Sequence, residues 1–149
     1  MKEAAPRTPS QLSRKIRSRP DDIDGLCGDI RALLEARGLG AAMFGVELLA
    51  RECLNNAVKH GHRGDASKRV AVNLRFSKRQ IRLRVADQGR GFDWRRALGA
   101  PAPRQTRTSG RGLRIIRWYA ERVRFNAAGN EITLWLRGAE PHNPKSNYA

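Results

Sequence analysis

Apolar residues in this chain recur with two different periods, and the switches between them mark out its elements. Ile23, Leu26, Cys27, Ile30, Leu33 and Leu34 fall at helical spacing. They predict a helix that Asp21 or Asp22 caps after Pro20, running to about Arg37, where Gly38 closes it. A second helix begins near Ala41 and carries Phe44, Leu48 and Leu49. Its apolar stripe continues through Cys53 and Ala57 to Gly61, a glycine suited to positive φ at a helix end. After a polar loop from His62 to Lys68 the period drops to two. Val70, Val72, Leu74 and Phe76 alternate with Ala71, Asn73 and Arg75; Ile81, Leu83 and Val85 alternate with Arg82, Arg84 and Ala86. With a turn from Ser77 to Gln80 between them, the two runs predict an antiparallel hairpin. Helical spacing returns with Leu113, Ile116, Trp118 and Ala120 as inward candidates. Val123 to Phe125, a turn at Ala127 to Asn130, and alternating Ile132, Leu134 and Leu136 then supply two further strands. Leu12 to Ser18 alternates poorly but can form a short edge strand.

Composition narrows the class. At 149 residues, 40% hydrophobic and 30% charged, the chain reads as one globular domain with a real core. Residues 1–17, with Pro6 and Pro9, read as a basic, disordered tail, 18–137 as the domain, and 138–149, with Pro141 and Pro144, as a second disordered tail. No apolar run reaches membrane-spanning length, and none follows the basic start as a secretory signal requires, so a cytoplasmic protein without a membrane partner is expected. Cys27 and Cys53 lack metal-like spacing and fit reduced core thiols. The net charge of +16 implies attraction to a nucleic acid, a nucleotide or an acidic protein surface, unless it is simply a well-solvated, arginine-rich exterior. Aromatic residues are too sparse for a single-strand stacking platform, and no helix-turn-helix or zinc spacing occurs.

Three clusters carry candidate chemistry. Glu52, Asn56 and His60 stand at i, i+4 and i+8 on the second helix and so share a face. A carboxylate there can take a proton from an attacking hydroxyl and an amide oxygen one turn on can hold magnesium, although both are also ordinary surface residues. Asp87-x-Gly89-x-Gly91-Phe92 ends a strand. Its glycines let backbone approach a ligand and its aspartate can accept a hydrogen bond from an exocyclic amino group; a plain turn is the other reading. Gly110-Arg111-Gly112-Leu113 opens a helix, where free amides and the helix dipole suit a phosphate, or where a loop merely meets a helix. Walker A, Rossmann and protein-kinase signatures are absent. Between the last two clusters, Asp93 to Ser109 reads as a lid.

The order ExxxNAxxHG, DxGxGF, GRGL resembles the GHKL (Bergerat-fold) ATPase family over roughly Ser18 to Arg137, and within it the small stand-alone anti-sigma factor serine/threonine kinases. A sensor histidine kinase needs a phosphoacceptor histidine on an upstream helix, and the histidines here are His60, His62 and His142. The resemblance implies an α+β fold, a two-layer α/β sandwich with a mostly antiparallel sheet and helices on one face. It implies ATP and Mg²⁺ as cofactors, with Glu52 as general base, Asn56 on the metal and Asp87 on the adenine amino group. Gly89, Gly91 and Phe92 would shape the pocket wall. Gly110 and Gly112, with the neighbouring amides of Arg111 and Leu113, would hold phosphates, and His60 and Gly61 would complete the helix end. The implied activity is phosphorylation of a STAS-type anti-anti-sigma protein, with an RNA polymerase sigma factor as second partner and a homodimer as the working form. Nucleic acid is a possible partner but not an expected one. The alternative is a switch or adaptor that binds ATP and transfers nothing.

Overall fold

Alternating apolar residues in five segments build a single antiparallel sheet. The computed structural model describes residues 10–77, 79–93 and 111–138. Strands β1 (Gln11–Arg17), β2 (Arg69–Phe76), β3 (Gln80–Ala86), β4 (Arg122–Phe125) and β5 (Glu131–Arg137) lie in the order β1-β2-β3-β5-β4, with every neighbouring pair antiparallel. Val70, Val72, Leu74, Ile81, Leu83, Val85, Ile132, Leu134 and Leu136 are buried on one face. The residues between them therefore point to the other. Helices α1 (Pro20–Ala36), α2 (Met43–Asn56) and α3 (Arg111–Tyr119) cover the apolar face. They bury Ile23, Leu26, Ile30 and Leu34 from α1, Val46, Leu49 and Leu54 from α2, and Ile116 from α3. This is the α+β two-layer sandwich expected. Among the described residues no helix is long and apolar enough to cross a membrane. Cys27 and Cys53 are buried, unpaired thiols, and burial pushes both above the ordinary thiol range.

Several local expectations change. Of the two readings of residues 11–17, tail and strand, the structure takes the strand, paired along its length with β2. The start of α1 has no side-chain cap: Arg19 occupies the cap position, Pro20 the first turn, and Asp21 and Asp22 follow it, where carboxylates favour the helix dipole. Trp118 does not point inward. Leu113, Ile116 and Ala120 share a stripe at i, i+3 and i+7, whereas Trp118 stands about 140° round the helix from Leu113 and is 41% exposed. Phe44 is exposed as well, its ring 6.1 Å from that of Tyr119. Gly38 closes α1 at φ +68° as expected. Gly61 does not take positive φ; its Cα is bare because a carboxylate packs against it. The tails at 1–9 and 139–149 and the lid at 94–109 lie outside the described residues.

Strand order brings two segments distant in sequence together. Because β5 inserts between β3 and β4, the end of β3 and the start of β5 run side by side, and Asp87 N donates to Asn130 O at 2.9 Å.

Candidate functional site

The second helix changes pitch in the middle of its motif. Through Glu52 and Asn56 it keeps α geometry, and then Ala57–Gly61 widen into a π turn in which His62 N donates to Ala57 O, five residues back, at 2.8 Å. Such single wide turns concentrate at functional sites. Glu52 and Asn56 stay on one face; His60 leaves the i+8 position the α pattern assigned to it. The extra width carries His62 into the interior, where it is 2% exposed. Gln88 N donates to His62 Nε2 at 3.0 Å, so that nitrogen is the unprotonated one and Nδ1 donates to Ser18 Oγ just beyond β1. Burial holds this imidazole below its ordinary pKa. One neutral ring thus ties the first strand to the glycine-rich segment after β3.

Asp87 sits at the start of that segment. Its Oδ1 accepts from Gly89 N at 2.7 Å. Its Oδ2 has no hydrogen-bond donor among the described residues, and desolvation raises the carboxyl pKa despite the Gly89 bond. A Cβ on Gly61 would stand 2.6 Å from Asp87 Cγ and Oδ1, which is why that position is glycine. A Cβ on Gly89 would stand 2.7 Å from the Gly61 Cα. Gly91 has φ +80°, and a Cβ there would collide with the Ala128 carbonyl. Two of the three clusters are therefore pressed together at backbone distance.

The third closes on the first. A Cβ on Gly112 would lie 2.9 Å from Glu52 Oε2 and 3.4 Å from Asn56 Nδ2, so the first turn of α3 rests against the carboxylate and carboxamide of α2. Neither the Glu52 nor the Asn56 side chain has a hydrogen-bond partner among the described residues. Leu113 lines the adjoining cavity. Arg111 begins α3, but its side chain, like all of Gly110, lies outside the described residues.

Between these groups is a cavity of about 210 Å³. Cys53, Ala57, Val85 and Ile132 give it apolar walls, Phe92 and Phe125 meet edge to face at 5.5 Å on one side, and Asp87 and Asn56 supply polar groups. Sites that enclose a whole drug-sized ligand run to roughly 300–1,000 Å³. This one is scaled to a flat ring, with anything attached to the ring extending towards Asn56 and Gly112. The unpaired Asp87 oxygen suits a donor on that ring, and the start of α3 suits an anion. Among the described residues no group of three His, Cys, Asp or Glu side chains can hold a metal ion. A metal here would take Asn56 Oδ1 as a lone protein oxygen and draw the rest of its shell from phosphates and water.

Two residues that build this site escape the sequence pattern. His62 falls in a stretch that reads as a polar loop. Asn130 reads only as a turn residue, yet its Nδ2 donates to Gly89 O at 3.1 Å and it lines the cavity. A signal for the second exists: Asn126 Oδ1 accepts from the backbone of Gly129, Asn130 and Glu131, as an Asx-type turn does.

Comparisons with known proteins find two similarities. A model of the histidine kinase-like ATPase domain family matches residues 16–136. The serine/threonine-protein kinase BtrW of Bordetella bronchiseptica is 30% identical over 101 residues, covering 64% of this chain and 71% of that protein.

Proposed function

The chain belongs to the histidine kinase-like ATPase family, and on that premise we propose that it is an ATP-dependent serine/threonine protein kinase working as an anti-sigma regulatory factor. Its acceptor in this reading is a hydroxyl of a STAS-type anti-anti-sigma protein, and its second partner an RNA polymerase sigma factor. The observation that carries the reading is the convergence at Gly112: an uncommitted carboxylate and an uncommitted carboxamide face the first turn of α3 beside a cavity sized for adenine. A protein that only bound nucleotide would have no use for the carboxylate. The serine/threonine-kinase name of a relative with 30% identity supports the same activity.

In this mechanism Asp87 Oδ2 accepts from the adenine amino group, and Val85, Ile132 and Phe92 exclude water from the ring. Glu52 accepts the proton of the acceptor hydroxyl as its oxygen bonds to the γ-phosphorus. The bond from that phosphorus to the β,γ-bridging oxygen breaks, and ADP leaves. Asn56 would hold Mg²⁺ through its amide oxygen, and the ion would supply neutralisation of phosphate charge. The amides at the start of α3 orient the group being transferred.

The test is phosphate transfer from γ-labelled ATP to a STAS-domain protein. A positioned base is worth about 10²–10⁴-fold in rate, so Glu52→Gln loses that much transfer while still binding nucleotide. Undiminished transfer by Glu52→Gln overturns the assignment of the base. Nucleotide binding without label on any acceptor overturns the kinase reading in favour of a switch.

A further inference from the structure

The sheet face turned away from the helices carries a cross-strand field of arginine. Register sets Arg17 opposite Arg69 and Arg75 opposite Arg82. Arg122 and Arg124 lie across β5, opposite Trp135 and Thr133, in the rows of Arg82 and Arg84. Arg84 is paired with Glu131 and Arg137 with Glu121. The other six have no carboxylate within salt-bridge distance among the described residues. Like charges directly opposite in a sheet are destabilising, so these pairs weaken the fold and need another explanation.

We infer that this open face binds the phosphate backbone of a double-stranded nucleic acid. Three features choose this occupant over others. Guanidinium groups match phosphate oxygens bidentately, and apart from Lys15, opposite Ala71, the cations of this field among the described residues are arginines. The face also has no exposed large apolar side chain: those that exist among the described residues, Phe44, Phe92 and Trp118, lie on the helices or at the cavity. A protein partner would draw its affinity from such anchors, and a phosphate backbone needs none. Finally, the aromatic ring on this face, Trp135, is 7% exposed beneath Arg122, whose guanidinium carbon stands 3.8 Å from the ring centroid. It cannot stack on the bases of a single strand. Five strands span about 19 Å at their usual spacing, over which a duplex carries about eleven charges. That is ample for six cations.

The experiment is fluorescence anisotropy of the full chain with a labelled random-sequence duplex of about 24 base pairs, titrated across salt concentrations. Each phosphate contact contributes about 0.9 to the slope of log K against log salt, so the intact face gives a slope of about −3 to −5. Arg75→Gln with Arg82→Gln relieves repulsion and so leaves the fold intact. It reduces the slope by about 2 and weakens binding at least about ten-fold near 100 mM salt, with nucleotide affinity unchanged and the melting midpoint equal to the parent's or higher. Arg37→Gln with Arg63→Gln, which removes equal charge elsewhere, leaves the slope as it was. Absence of duplex binding near that salt overturns the inference. So does an equal loss in the two double variants, which reports diffuse charge, and so does tighter binding of polyglutamate than of duplex, which reports an acidic protein partner.

Discussion

Asp87→Asn moves stability and nucleotide affinity in opposite directions. In the folded chain the carboxyl pKa lies above its ordinary value of 3.8 because desolvation outweighs the Gly89 hydrogen bond. The folded state therefore holds its proton more tightly than the unfolded state. Stability from this group is present below 3.8 and lost as pH rises through the folded pKa. At pH 7 the ionised side chain is thus a net cost to folding, and a neutral amide of the same shape removes it. The ligand sees the reverse. Asparagine keeps an oxygen for Gly89 N, which donates at 2.7 Å, and so turns its NH₂ towards the place where Asp87 Oδ2 stands. An incoming amino group then meets a donor instead of an acceptor. A hydrogen bond to a charged group contributes about 1.5–3 kcal/mol, so affinity falls by about 10- to 150-fold. Urea denaturation at pH 7 reads the first effect and titration calorimetry with ATP the second. Unchanged affinity, or a variant less stable than the parent at pH 7, refutes the placement of this carboxylate.

Two glycines offer a paired test. Gly61→Ala puts a methyl 2.6 Å from a carboxylate already held by Gly89 N, so neither side can yield; overpacking costs about 1–3 kcal/mol, and both the denaturation midpoint and nucleotide affinity fall. Gly112→Ala puts a methyl 2.9 Å from Glu52 Oε2, the free end of a flexible side chain. Folding is preserved, but the base retreats by about half an ångström and transfer falls by about ten-fold, read as kcat against Tm for the two variants. His62 titrates oppositely to Asp87. Burial holds its folded pKa below 6.5, so its stability is full above 6.5 and is lost as pH falls towards the folded pKa. Measured in the Asp87→Asn background between pH 5 and 8, a stability slope below about 6.5 that disappears in His62→Gln checks it; a slope that persists assigns the titration elsewhere.

Most of the fold was legible because its apolar periods are clean. β2 and β3 alternate without a break, β5 departs from alternation at Trp135, and the α1 and α2 stripes hold for three turns or more. Other features leave no periodic trace. Strand order could not be read, because the local pattern of β4 and β5 is the same whether or not β5 inserts next to β3. The π turn is invisible for a related reason: ExxxNAxxHG fits an α-helix to its end, and the widening is set by contacts of Gly61 with Asp87 and of His62 with Gln88. A lone histidine followed by Arg63, Gly64 and Asp65 reads as solvent-facing, and only tertiary structure reveals its two buried partners. The closeness of the three motifs was legible because glycine in a motif marks close approach: Asn56 and Asp87 line one cavity, and Gly112 packs against Glu52 and Asn56 at its side.

The arginine face bears on the expected homodimer. A two-fold interface is isologous, so a dimer built on the open side of the sheet would bring each arginine field against its own copy. Arg75 and Arg82 already oppose each other within one sheet, and a second copy would double the repulsion; the carboxylates beside this field among the described residues, Glu131 and Glu121, are already paired with Arg84 and Arg137. Like-charge juxtaposition at an interface costs several kcal/mol, and among the described residues this face offers no exposed large apolar anchor in return. The expected outcome is that a second copy of the chain, where one binds, docks on another surface and leaves the arginine face open. Cross-linking through a single cysteine introduced at Ser13 or at Asn73, which pair across β1 and β2 on that face, decides the point. Efficient disulfide dimers at physiological salt would contradict the argument, and their absence alongside a dimer by sedimentation would support it.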